Sequence, residues 1–250
     1  MLYGLYLSAT GVITSSYKQD VIANNLANSE SVGFKRDVPT FQERLTEASH
    51  RGRPGLSNRM LENLGGGILA APTLVDTRQG ELEPTGNAMD VAIEGDGYFA
   101  VKDKGQSRLT RNGQFTVDRK GRMVLSNGEG QPVLDPKGKP IQLLPNIPAV
   151  IGSDGTITQG GVVSGRVGVF DVKDRSQLVK RGGTLIAHTG QTLIPATGSL
   201  RSEFVERANV DPATELAALM DTQRQLEANA NMIRYQDQTL GKLVNEVGKI

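Results

Sequence analysis

Over the last part of the chain, apolar side chains return at alternating spacings of three and four residues: Leu216, Leu219, Gln223, Leu226, Ala230, Ile233, Asp237, Leu240, Val244 and Val247. Eight of these ten positions are apolar, which is the period of a narrow, coiled-coil-like helical seam. The first residues echo it at Leu2, Leu5, Ala9, Val12, Ser16, Gln19, Ala23 and Leu26, with small and polar residues diluting the stripe. The pattern predicts one helix over about Tyr3–Ala27, roughly 37 Å long, and a second from Pro212 to about Val247, roughly 54 Å long. The second begins on strong signals: Asp211 can cap, Pro212 suits the first helical position, and Glu215 opposes the positive helix end. Gln223 and Asp237 interrupt the stripe, and a polar residue on such a seam trades stability for register and partner choice. Helices of this kind are held by what packs on them, so both ends are expected to lie against other helices.

Between the ends the texture differs. From Ile68 to about Phe204 short β-branched runs alternate with turn signals. Val91-Ala92-Ile93 and Tyr98-Phe99-Ala100-Val101 flank Glu94-Gly95-Asp96-Gly97 in the manner of a hairpin. Leu109-Thr110-Arg111 and Gln114-Phe115-Thr116-Val117 flank Asn112-Gly113, the strongest short hairpin signal. Further turns are expected at Asp118–Gly121, Asn127-Gly128, Asp135–Gly138 and Asp154-Gly155. With no helix-length pattern among them, this is an antiparallel all-β unit, and the chain as a whole is α+β. The segment from Arg51 to Gly67 has no period and reads as a mobile or partner-ordered loop. The expected division is a helical arm at 1–40, a loop-rich linker at 41–75, the β-rich domain at 76–205 and the second helical arm at 206–250.

Composition narrows the chemistry. Twenty-eight Lys and Arg against 27 Asp and Glu leave a formal net charge of +1, which makes no electrostatic case for nucleic acid or an anionic membrane. There is no cysteine, so disulfides, thiolate metal sites and a cysteine nucleophile are excluded. Two histidines, His50 and His188, are too few for a three-histidine zinc site. No tryptophan and few other aromatics leave little to stack on bases or sugars. No apolar run approaches the roughly 20 residues that span a bilayer. The apolar start lacks the basic flank of a secretory signal, its first lysine being Lys18. Glu81 with Glu83, or Glu94 with Asp96, offers paired carboxylates for glycoside hydrolysis, but residues two apart on a strand share a face by construction. No Gly-x-Ser-x-Gly elbow, phosphate loop or dinucleotide fingerprint is present. No cofactor, metal or small-molecule substrate is expected.

Ala23-Asn24-Asn25-Leu26-Ala27-Asn28 is different in kind. Asn24, Asn25 and Asn28 offer amides around a helix end, where they can bond free carbonyls or a neighbouring chain's backbone. Together with Ser29-Glu30-Ser31-Val32-Gly33-Phe34-Lys35, this segment resembles the N-terminal signature of bacterial flagellar rod and hook proteins. Thr85 to Phe99 and Thr110-Arg111-Asn112-Gly113-Gln114-Phe115 resemble that family's central β segment. Asn209-Val210-Asp211-Pro212 and Thr222 to Asn229 resemble its C-terminal signature. Ser29 and Ser31 stand where threonine is more usual, and Leu226 where an aromatic often stands. The chain's length, without the large extra β domains of hook proteins, points to a rod subunit, and being short for a distal one it favours the proximal type. The resemblance implies assembly without catalysis. Subunits would be exported through the flagellar export apparatus without a cleaved signal. They would polymerise beyond the inner membrane, spanning the periplasm in a Gram-negative cell, into a helical tube that transmits torque from motor to hook. Partners would be other copies of the chain and other rod and hook proteins. Leu5, Val12, Ala23, Asn24, Asn25, Leu26 and Asn28 on the first helix, and the C-terminal stripe from Leu216 to Val244, would carry assembly. Two rivals from other classes are a cell-wall-binding domain or hydrolase with helical oligomerisation arms, and a fibre whose helices form a trimer alone.

Overall fold

In the computed structural model, which describes residues 2–43, 67–145 and 147–247, helix α1 (Leu2–Ala27) opens the chain and helix α2 (Pro212–Val247) closes it. Among the described residues between them lie the strands β1 (Asp37–Glu43), β2 (Ile68–Val75), β3 (Leu82–Pro84), β4 (Val91–Glu94), β5 (Tyr98–Asp103), β6 (Gln106–Thr110), β7 (Phe115–Val117), β8 (Met123–Leu125), β9 (Ala149–Ile151), β10 (Thr156–Gln159), β11 (Val162–Arg166), β12 (Val169–Asp171), β13 (Val179–Lys180), β14 (Ile186–Ala187), β15 (Ile194–Pro195), β16 (Ser199–Ser202) and β17 (Phe204–Glu206). Every ladder whose register is defined is antiparallel, so the α+β class holds. Apart from Gly67, the loop expected at Arg51–Gly67 lies outside the described residues.

The chain divides into two compact units. One gathers residues 1–26, 37–73 and 212–250; the other gathers 27–36 and 74–211. In the first, β1 and β2 form a two-stranded ribbon that meets α1 through Tyr17. The Tyr17 hydroxyl donates to the Ala71 carbonyl at 2.8 Å, and its ring stands edge-on to Phe41 with centroids 6.1 Å apart.

The second unit is built on a six-stranded sheet in the order β13-β14-β6-β5-β12-β15. Its central strand β5 is apolar without interruption over Tyr98, Phe99, Ala100 and Val101, and all four are buried. Side chains alternate faces along a strand, so one run feeds two cores. Phe99 and Val101 join Val91, Ile93, Phe115, Met123 and Ile157, while Tyr98 and Ala100 join Leu109, Leu178 and Ile186. The β5–β6 hairpin closes on Lys104-Gly105, both at positive φ, and the β10–β11 hairpin on Gly160-Gly161, also both positive.

Two expected hairpins are not hairpins. β4 pairs with β16 and β5 with β6 and β12, so Gly95-Asp96-Gly97 carries the chain from one sheet to another. Gly97 passes so close to its neighbours that an added Cβ would lie 2.6 Å from Val169 Cγ1. Likewise β6 pairs with β5 and β14, and β7 pairs with β8, so Asn112-Gly113 is a buried crossing segment. Gly113 is needed there for close approach, because a Cβ would sit 1.7 Å from the Val91 carbonyl oxygen. The turns at Asp118–Gly121, between β7 and β8, and at Asp154-Gly155, between β9 and β10, do close hairpins.

Candidate assembly site

The two terminal helices share the first unit, and glycine sets how closely they approach. A Cβ on Gly4 would lie 2.9 Å from the Gln236 Nε2, and one on Gly11 would lie 2.8 Å from the Asn229 Nδ2 and 2.9 Å from its Cγ. Going up seven residues on α1 goes down seven on α2, so the helices run antiparallel. Glycine in a helix interior costs about 1 kcal/mol relative to alanine; here it gives the space for an amide to lie against the backbone of α1.

This contact fixes which face of each helix points inward. On α2 the column Leu219, Leu226, Ile233, Leu240 is half-buried, and beside it lie Glu215 and Thr222, both buried, then Asn229 and Gln236, half-buried. Of the remaining stripe positions, Ala230 is half-buried, while Leu216, Gln223, Asp237 and Val244 are exposed on the isolated chain, Val244 at 71%. On α1 the buried face carries Gly4, Ser8, Gly11, Ser15, Ile22 and Asn25; Leu5, Val12 and Leu26 are half-buried, and Ala23 and Asn24 are exposed. A stripe of apolar residues does not reveal the polar inward column. The small residues Gly4, Ser8, Gly11 and Ser15 at the same spacing were the signal that could have located it, since small residues mark close helix approach. Large apolar side chains left exposed on the isolated chain are Leu7 and Ile13 on α1, and Leu216, Met220, Met232, Tyr235, Leu243 and Val244 on α2.

Of the three asparagines, Asn25 is fully buried and uses its amide as a strand would use its backbone. Its Nδ2 donates to the Asp37 carbonyl at 2.9 Å and its Oδ1 accepts from the Asp37 N–H at 2.9 Å. The motif thus ties the end of α1 to the start of β1 within one chain. Asn28, half-buried just beyond the helix, accepts from the Ser31 N–H at its carbonyl.

The rest of the N-terminal signature enters the second unit, where it meets the other signatures. Gly33, at φ +69°, lies where a Cβ would be 2.2 Å from the Asn112 nitrogen, and its N–H donates to the Glu206 carbonyl at 2.7 Å. Lys35 Nζ pairs with Glu206 Oε1 at 2.6 Å and donates to the Arg78 carbonyl, while Arg111 Nη1 pairs with Glu206 Oε2 at 2.9 Å. All three side chains are at most 3% exposed. Burial holds the Lys35 ammonium below the usual lysine range, with Glu206 offsetting part of the effect. Arg111 also lies over the ring of Tyr98, whose phenol burial pushes up to about 12. Asn209 laces the same region: its Oδ1 accepts from the Arg36 N–H at 2.7 Å, and its Nδ2 donates to the Asp76 and Arg78 carbonyls. This cluster is a structural tie, in which one buried carboxylate holds two buried cations.

The pairs considered for hydrolysis are otherwise occupied. Asp96 is bound by Arg175 at 3.0 Å, which holds its carboxyl below the usual range, and Glu83 lies 3.6 Å from Arg207. His188 Nδ1 sits 2.8 Å from the Gln191 carbonyl. Among the described residues no group of three or more His, Cys, Asp or Glu is placed to hold a metal ion, and no helix is long and apolar enough to cross a membrane.

The three parts of this arrangement match three family profiles: residues 5–35 match the profile described as flagella basal body rod protein, residues 92–165 the flagellar hook protein FlgE/F/G D1 domain, and residues 201–246 the flagellar basal body rod FlgEFG protein C-terminal region. The chain is 32% identical over 249 residues to the flagellar basal-body rod protein FlgF of Caulobacter vibrioides, covering 98% of each chain. It is 31% identical over 268 residues to the rod protein FlgG of Bacillus subtilis, covering 98% of this chain and 99% of that one. The FlgF of Mesorhizobium japonicum is 29% identical over 248 residues. With such relatives spanning nearly the whole of both chains, the chain belongs to the family of flagellar basal-body rod proteins, structural components and not enzymes.

Proposed function

We propose that this protein polymerises through its terminal helices into a helical tube, as a subunit of the flagellar rod that carries torque from motor to hook. Its place is the flagellar basal body, and other rod and hook proteins are its partners in assembly. The observation that carries the reading is the uncovered apolar surface on both helices. Met220, Met232, Tyr235 and Val244 on α2 and Ile13 on α1 are each more than half exposed, and large contiguous apolar surface marks an interaction site. Helices with one face satisfied inside the chain and another left apolar are suited to neighbours of the same kind. A contact between unlike faces of identical subunits does not close and so builds a filament. Within the rod we favour the proximal type, because the chain is short for a distal subunit. Passage through the flagellar export apparatus belongs to the same reading.

The test uses positions that the isolated chain leaves exposed. Leu216→Asp with Val244→Asp should leave the melting of the purified protein unchanged, since neither side chain is buried there. Burying those carboxylates against a neighbour costs several kcal/mol, so the variant should be absent from purified basal bodies and fail to restore swimming to a strain lacking the protein. Normal swimming and normal incorporation would sink the reading.

A further inference from the structure

The inward faces of α1 and α2 are made of two columns that do different work. Leu219, Leu226, Ile233 and Leu240 repeat every seven residues. A slip of one helix along the other by seven residues sets one leucine or isoleucine where another was, so this column does not distinguish registers. The other column does. Asn229 and Gln236 lie against Gly11 and Gly4, the only glycines of α1. A slip in one direction sets Gln236 against Gly11 and drives Asn229 against Lys18; a slip in the other sets Asn229 against Gly4 and carries Gln236 past the start of the helix. Either slip keeps one glycine–amide layer where the observed register has two. At Gly11 the fit is tight: all three terminal atoms of the Asn229 amide would come within 2.8–3.0 Å of any added Cβ. The Gln236 Oε1 is buried without a hydrogen-bond partner among the described residues. A group placed so is poor glue, and it adds nothing to the packing that a leucine would not.

We propose that the Gly4–Gln236 and Gly11–Asn229 layers are the register key of the terminal helices, making α1 choose its own α2, in one antiparallel alignment, over any other apolar helix it meets. In a polymer where many identical helices are crowded together, this would separate the pairing inside a subunit from the contacts between subunits. That consequence rests on the assembly reading above, but the key itself is a property of the single chain.

The chain has no cysteine, so disulfide reporters can be placed at will in the full-length protein. Ser8→Cys with Ile233→Cys reports the observed register, each position lying between the two layers on its own helix. Ser15→Cys with Ile233→Cys reports a slip of seven. Under mild oxidation at low concentration, the first pair should close within the chain and the second should not. Adding Asn229→Leu and Gln236→Leu should let both pairs close and should produce chains linked to one another. Gly11→Asn should abolish closure of the first pair, and combining it with Asn229→Gly, which moves the amide to the other helix, should restore it. Equal closure of both reporters in the unaltered background, an unchanged pattern with the two leucines, or no rescue by the exchange would each overturn the proposal. None of these outcomes depends on whether Leu216→Asp with Val244→Asp blocks rod assembly, so the two readings fail separately.

Discussion

Replacing Glu206 by glutamine should be the most damaging single isosteric change in the second unit. Glu206 is the one anion between two buried cations, 2.6 Å from Lys35 and 2.9 Å from Arg111, and it also accepts the Gly80 N–H at 2.9 Å. Glu206→Gln keeps the shape and removes the charge, leaving both cations buried without a counterion, which costs about 3–5 kcal/mol. Lys35→Met removes one cation and leaves the Arg111 pair intact. Its cost is about 1–2 kcal/mol, mainly the lost hydrogen bonds to Glu206 and the Arg78 carbonyl. A unit of this size shifts its melting temperature by about 2–4 °C per kcal/mol, so Glu206→Gln should melt about 6–20 °C lower and Lys35→Met only a few degrees lower. Calorimetry of the full chain measures both. The pH dependence supplies a second readout. Burial lowers the pKa of Lys35 in the folded chain below its ordinary 10.5. Between the two values the unfolded chain holds a proton that the folded chain has released, so this lysine makes stability rise with pH across that alkaline window. The stability difference between the unaltered protein and Lys35→Met should therefore shift in favour of the unaltered protein as pH climbs toward 10.5. If Lys35→Met proved as costly as Glu206→Gln, or the difference stayed flat with pH, the account of the cluster would be wrong.

Gly33→Ala should destabilise the same unit by several kcal/mol, because it adds a Cβ 2.2 Å from the Asn112 nitrogen at a residue with φ +69°; a melting temperature within a degree or two of the original would refute it. Asn25→Ala removes two hydrogen bonds to the Asp37 backbone, worth about 0.5–1.5 kcal/mol each, and should lower helical circular dichroism while sparing the β signal. Leu26→Asp should impair swimming more than Asn25→Ala does, and normal swimming would count against a seam role for Leu26. Limited proteolysis of the isolated chain should trim α2, whose outward column is uncovered, before it degrades the second unit; equal resistance would argue that α2 needs no neighbour.

The ends of α2 were legible because local signals agree there: Asp211 and Pro212 start a helix with no proline after it, and the helix runs Pro212–Val247. The face it buries was legible in part: Leu219, Leu226, Ile233 and Leu240 of the apolar stripe lie inward, while Leu216, Gln223 and Asp237 are left exposed on the isolated chain. Beside the Leu219 column lie Glu215, Thr222, Asn229 and Gln236, and the last two fit there against glycines more than 200 residues away in sequence. The two misread hairpins have the same origin. Asn112-Gly113 carries the strongest local turn signal in the chain, yet its glycine serves a contact with Val91 on a different strand, and tertiary packing overrides the local preference. The Asp118–Gly121 turn was legible because nothing distant competes for it: Gly121 donates to Asp118 and the Asp118 carboxylate accepts from Lys120 and Arg122 nearby. The buried ion cluster was invisible from spacing alone, since Lys35, Arg111 and Glu206 form no local pattern.

The pairing of Lys35 with Glu206 joins positions 171 apart, and that separation governs when the molecule can finish folding. The second unit takes residues 27–36 and 74–211, with residues 37–73 between them in sequence, so its last contacts wait on both stretches. A chain threaded through a narrow conduit, from either end, still has one member of this pair inside or behind the opening until nearly all of the intervening length has emerged. The cost of closing so long a loop is met only by the contacts made at closure. If the subunit is exported as proposed, the tie that locks it when finished would form only near the end of its passage.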